Sequence, residues 1–384
     1  MRYLTSGESH GSQLTAIIEG VPAGLKLTAD MINQELQERQ QGYGRGDRMK
    51  IERDRVKIVG GVRHGFTLGS PISLVINNKD NANWGQTMAV EPIENLEYEV
   101  KEIPRPGHAD LVGAIKYGHR DLRNVLERSS ARETAIRVAV GAVAKQILKV
   151  LEIEVQAHVL QIGSVGINCS QKSIADIRAY LLKSPVRCMD EQASKQMCEA
   201  IDQAKAQGDS LGGIVQIIAE NVPAGVGSYV HYDRKLDAKL AAAIMSVQSV
   251  KGVHFGDALF SSTHSGSEVH DQIQYGAAGF TRKTNHYGGF EGGMTNGMPL
   301  VMEALVKPIP TLYQPLDSIH LETKEIKESM IERSDCCVVP AAGVVLEAVV
   351  AIELATEILS MFESDQVERL IQSFENYRNA VKGF

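Results

Sequence analysis

Net positive charge is the first thing this sequence lacks. Its 384 residues hold 40 Lys and Arg against 47 Asp and Glu, a balance of −7 with a pI near 5.9. Proteins built to bind nucleic acid are usually basic, so a polyanion as main partner is disfavoured. Aromatic residues are few, at 5% with one tryptophan. The five cysteines are Cys169, Cys188, Cys198, Cys336 and Cys337; no CxxC occurs, and no Cys/His cluster has zinc spacing. They read as reduced thiols, and no metal is expected. No charged-then-apolar signal pattern opens the chain, which points to a cytoplasmic protein. The most apolar stretch, Ala341 to Met361, carries Glu347, Glu353 and Glu357. Three carboxylates are costly at bilayer depth, so a buried helix is expected and no membrane partner.

What is present is glycine, at 35 residues, and an internal echo. Gly7-Glu8-Ser9-His10-Gly11 returns 201 positions on as Gly208-Asp209-Ser210-Leu211-Gly212. At the same offset Val21-Pro22-Ala23-Gly24 meets Val222-Pro223-Ala224-Gly225. Each copy runs from the glycine turn into a strand-like stretch, Leu14 to Glu19 or Ile214 to Glu220. The VPAG turn and a helical stretch follow, Ala29 to Gln41 or Lys235 to Ser246. Arg128-Ser129-Ser130 and Arg333-Ser334-Asp335 each precede a long apolar helix, to about Leu151 and Met361. Three collinear matches favour duplication over chance. The halves fall near 1–165 and 205–384, with two polar helices inserted over about 170–207. Further strand-like runs, Ile51 to Val59, Ser73 to Asn77 and Glu154 to Ile162, do not alternate with helices. We therefore expect an α+β fold: one domain over 1–384, an internally duplicated β-α-β sandwich of antiparallel sheets layered with long helices.

The lettering G-x-S-x-G in GESHG is that of a hydrolase nucleophile elbow. An elbow serine sits between a strand and a helix, and its oxyanion loop comes earlier in the chain. Six residues precede Gly7, and a strand-like run follows Gly11. The context therefore argues against a serine hydrolase acting through Ser9. The echo explains the glycines but not His10, which is Leu211 in the second copy.

Cations concentrate where glycines allow close approach. Arg39, Arg45, Arg48, Arg53 and Arg55 interleave with Gly42, Gly44 and Gly46. Arginine offers a planar fork that grips carboxylate or phosphate. The bland alternative is a solvated loop paired to Glu52 and Asp54, and a non-catalytic anion- or RNA-binding role is a further one. Arg105-Pro106-Gly107-His108-Ala109-Asp110 sets an Arg and a His around a turn. Ser129 and Ser130 read as hydroxyls at a helix start, which is an anion seat or a plain cap. Gly288 to Gly297 is glycine-rich yet is neither G-x-G-x-x-G nor Walker A, leaving Rossmann and P-loop binding unsupported. Lys307-Pro308-Ile309-Pro310-Thr311 is a stiff segment that presents a cation and a hydroxyl, or simply a connection. Together these suit a small polyanionic substrate and proton transfer.

As a set, GESHG, RQQGYGRGDRM (39–49), RPGHADL (105–111), RSSARETA (128–135), GDSLGG (208–213), QSVKGVHFG (248–256), GGFEGGMTNG (288–297), KPIPTL (307–312) and RSDCCVVPAAG (333–343) resemble the chorismate synthase family, in order over nearly the whole chain. The resemblance implies a carbon–oxygen lyase of the shikimate pathway. Such an enzyme removes phosphate and a C6 proton from 5-enolpyruvylshikimate 3-phosphate by anti-1,4 elimination, giving chorismate. Reduced FMN is required without net redox change. The resemblance implies that Ser9, Arg39, Arg45, Arg48, Arg105, Arg132 and Arg333 surround the substrate. His10 would protonate the departing phosphate, His108 would serve the anionic reduced flavin, and Asp335 would relay a proton. Arg128, Ser129, Ser130, Gln248, Ser249, Gly292, Lys307, Pro308, Ile309, Pro310, Thr311 and Arg333 resemble the family's FMN contacts. A homotetramer is implied. Reduced flavin would come from an external reductase or with NADPH as electron source; the compact second half favours an external source.

Overall fold

The computed structural model describes residues 1–384 except 47–52, 95–97, 169–171, 277–278 and 333. Arg48 and Arg333, two of the expected substrate contacts, and Cys169 therefore lie outside the described residues.

Burial alternates along Gln13–Glu19: Leu14, Ala16 and Ile18 are buried, while Gln13, Ile17 and Glu19 face outward. That period of two is what a strand with one covered face requires. The strand sits in a four-stranded sheet whose spatial order is Arg2–Ser6, Gln13–Glu19, Ile72–Asn77, Val56–Gly60, antiparallel throughout. A second antiparallel sheet has the order Val250–Phe255, Leu300–Val306, Gly213–Glu220, Glu154–Ile162, Val165–Gly166.

Helices supply the other layer. Thr134–Lys149 is buried without a break from Thr134 to Ala144, the pattern of a helix with no solvent face. It packs on the first sheet, and Val339–Met361 packs on the second. The two helices pack most extensively on each other. They touch at Gly141, where an added Cβ would lie 2.4 Å from the Ala348 Cβ and 2.6 Å from its Cα. The apolar helix keeps its buried Glu347 by pairing it with Lys145 at 2.7 Å and Arg187 at 2.6 Å. Among the described residues, no helix is long and apolar enough to cross a membrane. The antiparallel α+β class is as expected. So are the helices Ile174–Leu181 and Glu191–Ala206, which pack on the second sheet.

One local expectation changes. Arg128 and Ser129 close a short helix, Arg123–Ser129, instead of opening the long one. Ser130 caps a 3-10 turn, Ala131–Glu133, through the Arg132 amide. The serines thus occupy a break between two helices.

The two VPAG turns are clasped alike. Thr67 Oγ1 accepts from the Leu25 amide at 2.9 Å and donates to the Pro22 carbonyl at 2.5 Å. Thr295 Oγ1 accepts from the Val226 amide at 3.0 Å and donates to the Pro223 carbonyl at 2.6 Å. Gly24 and Gly225 have φ of 85° and 92° and donate to the carbonyls of Thr67 and Thr295.

Candidate active site

Turn GESHG is docked on the short helix Arg123–Ser129. The Ser9 amide donates to the Glu127 carbonyl at 2.9 Å. The His10 amide donates to Glu127 Oε2 at 2.7 Å, and His10 Nδ1 lies 2.9 Å from Glu127 Oε1. One carboxylate therefore holds both the backbone and the ring of His10. Asn78 and Asn81, where the chain leaves the strand Ile72–Asn77, donate to the carbonyls of Glu8, Gly11 and His10. Asp80, fully buried, stands 4.0 Å from His10 Nε2. Burial pushes the Glu127 carboxyl up, but the hydrogen bonds and charge of His10, with Arg123, hold it below its ordinary value.

A second histidine is paired the same way. His108 Nδ1 is 2.5 Å from Asp110 Oδ1, and Arg105 donates to the same carboxylate from Nε at 2.9 Å and Nη2 at 3.1 Å. Burial opposes ionisation of Asp110, yet His108 and Arg105 hold its carboxyl well below the usual range. Arg105 Nη1 donates to Thr311 Oγ1 at 2.9 Å.

The expected arginines are held by polar partners of their own. Arg39 ends the helix Ala29–Gln40 and donates to Thr134 Oγ1 at 3.0 and 2.8 Å. Arg132 lies 2.8 Å from the Asp54 carboxylate, and its fork reaches Asn78 Oδ1. Asp54 also stands 3.7 Å from Arg39. Burial pulls the Arg39 guanidinium down to about 10, which leaves it charged at neutral pH. Arg45 pairs with Asp335 at 3.0 Å, and the Gly46 amide donates to Asp335 at 2.6 Å.

The expected cofactor contacts join the same network. Ser130 Oγ donates to Ser9 Oγ at 3.3 Å. Gln248 donates to Glu133 at 3.0 Å, and Ser249, with a left-handed φ of 70°, accepts from the Lys307 amide at 2.8 Å. Lys307 Nζ donates to the Gly107 carbonyl at 2.5 Å, and Pro310 lies against Gly107. Pro308 packs close to Gly212, and Ile309 accepts from Ser210 Oγ. Ser334 Oγ donates to the Thr311 carbonyl, which leads back to Asp335 and Arg45. Arg128 is spent on the opening segment, donating to the carbonyls of Gly7 and Thr5, and Ser129 Oγ returns to Leu126. Gly292 stands apart: its neighbours are Tyr229 and Met294, at the N-terminal end of the helix Leu236–Met245. A cleft of about 390 Å³ opens beside the network, lined by Tyr3, Thr5, Arg128, Glu133, Arg137, Ser246 and Gln248. Neither His10 nor His108 lines it.

Sequence reasoning gave no role to Glu127, Asp110, Asp80 and Asn78 and read Asp54 only as a solvated ion-pair partner, yet these groups hold the named residues in place. Asp110 and Glu127 were in view, inside RPGHADL and directly before RSSARETA. Their role depends on pairing over 117 residues in the case of His10, which spacing does not encode.

The chorismate synthase family model matches residues 1–359. A chorismate synthase of Geobacillus kaustophilus (strain HTA426) is 59% identical over 389 residues, with both chains covered in full. Chorismate synthase 1 of Bacillus cereus (strain ATCC 14579) is 58% identical over 390 residues, again with full coverage of both. A crystal structure of a chorismate synthase superposes with a TM-score of 0.81 at 39% identity, covering 100% of this chain and 98% of that one.

The chain belongs to the chorismate synthase family.

The family's reaction is the elimination of phosphate from 5-enolpyruvylshikimate 3-phosphate to give chorismate, in the shikimate pathway. It is a carbon–oxygen lyase reaction that requires reduced FMN. The residues present fit both molecules. Buried Arg39, Arg105 and Arg132 suit a substrate with two carboxylates and a phosphate. For FMN, the fit rests on two observations. Gln248 Oε1 is buried without a hydrogen-bond partner among the described residues, an acceptor that a ring N–H would satisfy. Lys307 is partly desolvated and lies near Lys251, both of which lower its proton affinity, a cost that a bound anion would offset.

Proposed function

We propose that the network built on His10 and His108 is the catalytic centre for this chain's elimination of phosphate from 5-enolpyruvylshikimate 3-phosphate. The observation that carries the reading is that both expected histidines are paired to buried carboxylates. Each of these carboxylates also accepts from an arginine, Glu127 from Arg123 and Asp110 from Arg105. In this reading Arg39, Arg45, Arg105 and Arg132, with Ser9, hold the substrate's anionic groups. Arg48 and Arg333, outside the described residues, belong to the same set.

His10 gives a proton to the departing phosphate oxygen as the C–O electron pair leaves with it. A positioned general acid of this kind is worth roughly 10²–10⁴-fold in rate. His108, tied to Asp110, stabilises negative charge on the reduced cofactor. Asp335, held by Arg45 and the Gly46 amide, is placed to take a proton onward. Ser130, Gln248, Ser249 and Lys307 to Thr311 would hold FMN, with Arg128 and Ser129 supporting them. When bound, reduced FMN would supply electron density for C–O cleavage and recover it with the hydrogen lost from C6, so that no net redox change results. Gly292 joins this cofactor set through its glycine-rich motif.

The reading extends to the scaffold. We infer an internal duplication within a single domain over 1–384, in a β-α-β sandwich. The matching clasps of Thr67 and Thr295 support it, as does the equivalent strand order of the two sheets. In that correspondence Glu154–Ile162 matches Arg2–Ser6. The second copy then begins near residue 154, earlier than 205, and the polar helices interrupt it after its first strand. A cytoplasmic homotetramer supplied by an external flavin reductase, with NADPH as the alternative source, completes the proposal.

The test is anaerobic turnover with reduced FMN and 5-enolpyruvylshikimate 3-phosphate, measured as phosphate release. Alanine at His10 and at His108 should each abolish most release while an FMN difference spectrum persists in the His10 variant. Wild-type release in both variants overturns the assigned roles.

A further inference from the structure

His10 is part of a closed circuit of side chains that the family motifs do not include. Glu127 accepts from the His10 amide and ring. Arg123, buried and one helical turn before Glu127, donates to Glu127 Oε1 at 3.2 Å. Its guanidinium lies over the Trp84 ring, 4.7 Å from the centroid. Trp84 in turn packs on His10, with ring centroids 4.2 Å apart and planes tilted by 33°. Contacts thus run His10 to Glu127 to Arg123 to Trp84 and back to His10. The second copy of the glycine turn has Leu211 where His10 stands, so folding of the turn itself does not require this circuit.

Such a circuit constrains the imidazole in two ways. The Nδ1 hydrogen bond to Glu127 fixes the ring's rotation, the amide bond to the same carboxylate anchors its backbone, and the indole face fixes its plane. An ionised Glu127 accepts hydrogen bonds and cannot donate them, so the Nδ1 proton is committed to it. Nε2 is the nitrogen left over. The charged groups facing the ring are Glu127, held by Arg123, and Asp80, which lies 4.0 Å from Nε2 and so beyond direct hydrogen bonding.

We propose that Glu127, Arg123 and Trp84 are positioning residues that hold His10 with Nδ1–H on Glu127 and present Nε2 as the atom that protonates the leaving phosphate. The Nε2–H bond breaks, a phosphate O–H bond forms, and the C–O electron pair leaves with the phosphate. The imidazole is left neutral, with its remaining proton on Nδ1. The proposal rests on His10 being the acid.

Trp84 is the sole tryptophan, so the circuit carries its own reporter. In FMN-free protein, emission at the indole should fall as pH is lowered through His10 protonation, and His10→Gln should remove that fall. Equal pH dependence in both proteins overturns the stacking. For turnover, Glu127→Gln should lower kcat by about 10–100-fold, with KM changed less than about twofold and the His10-dependent limb of the pH profile moved to lower pH. Trp84→Ala should lower kcat by about tenfold, and Trp84→Phe should recover most of it. Wild-type kcat and an unmoved pH profile in both Glu127→Gln and Trp84→Ala, with His10→Gln inactive, overturn the proposal and leave His10 as the acid. Full turnover in His10→Gln overturns the reading beneath it. Should Glu127→Gln fail to fold, the half-buried Trp84 pair of variants decides.

Discussion

GESHG and GDSLG both lead into a strand and are both covered by the chain that leaves a neighbouring strand of the same sheet. In the first, Asn78 and Asn81 follow Ile72–Asn77 and hold the turn's carbonyls. In the second, Ile309 follows Leu300–Val306 and accepts from Ser210 Oγ. Both turns also rest on the segment before a long helix: Ser9 on Glu127, and Leu211 on Cys336 through a 3.0 Å amide bond. At that point they part. His10 meets a buried carboxylate, whereas the Leu211 side chain packs near Gly163. The backbone device is therefore shared, and the chemistry comes from what surrounds it. A histidine alone would not convert the second corner: the Leu211 amide rests on the Cys336 carbonyl, and Glu332, the sequence match of Glu127, is only half-buried.

The largest effect that tests this comparison is on turnover. His10→Ala should cost roughly 10²–10⁴-fold in phosphate release. The double exchange His10→Leu with Leu211→His should stay equally inactive; recovered release would break the comparison.

Next in size is the cost of buried charge. Asp54→Ala leaves Arg39 and Arg132 without their shared carboxylate. It should lower stability by about 3–5 kcal/mol, as breaking a buried pair does. Asp209→Ala, on the exposed side of the second corner, should change the unfolding free energy by less than about 1 kcal/mol in denaturant titrations. Comparable losses at both positions would remove the distinction.

Acid stability follows from the second histidine pair. Asp110 has a folded-state proton affinity below its unfolded one, so its contribution is complete above the ordinary carboxylate value near 3.9. That contribution is lost as pH falls through the lower folded-state value. Wild-type protein should therefore lose stability more steeply below about pH 4 than Asp110→Asn, measured by thermal melts. Parallel curves would contradict the pairing.

The smallest effect tests likeness instead of difference. Thr67→Val and Thr295→Val each strip one clasp from a VPAG turn and should cost about 1–3 kcal/mol, equal within error. Unequal losses would show that the two clasps carry different loads.

Much of the scaffold was legible in the residues. The strand Gln13–Glu19 was readable as a short apolar run between the glycine turn and VPAG, and Val339–Met361 from an apolar run that three carboxylates kept out of a bilayer. The break at Ser129–Ser130 was not, because short-range pattern there is helical on both sides and the interruption serves a tertiary contact between Ser130 and Ser9. In the site, residue types that bear chemistry stood out, as with Arg39, His10 and His108. Their partners did not. Glu127 and Asp54 look like ordinary surface carboxylates until folding buries them against charges far away in sequence.

The contact of Gly141 with Ala348 carries a consequence for how this chain can change over generations. Any larger residue at 141 would drive a side chain into the backbone of the facing helix, so the two helices would have to separate. Those helices carry the two sheets, and a single substitution there would be felt at once by GESHG and GDSLG, which sit on opposite partners of the pair. The two copies can drift apart in sequence, as His10 and Leu211 have done. At this one crossing they remain bound to a common fate, and a variant at 141 is tolerable only alongside room made around 348.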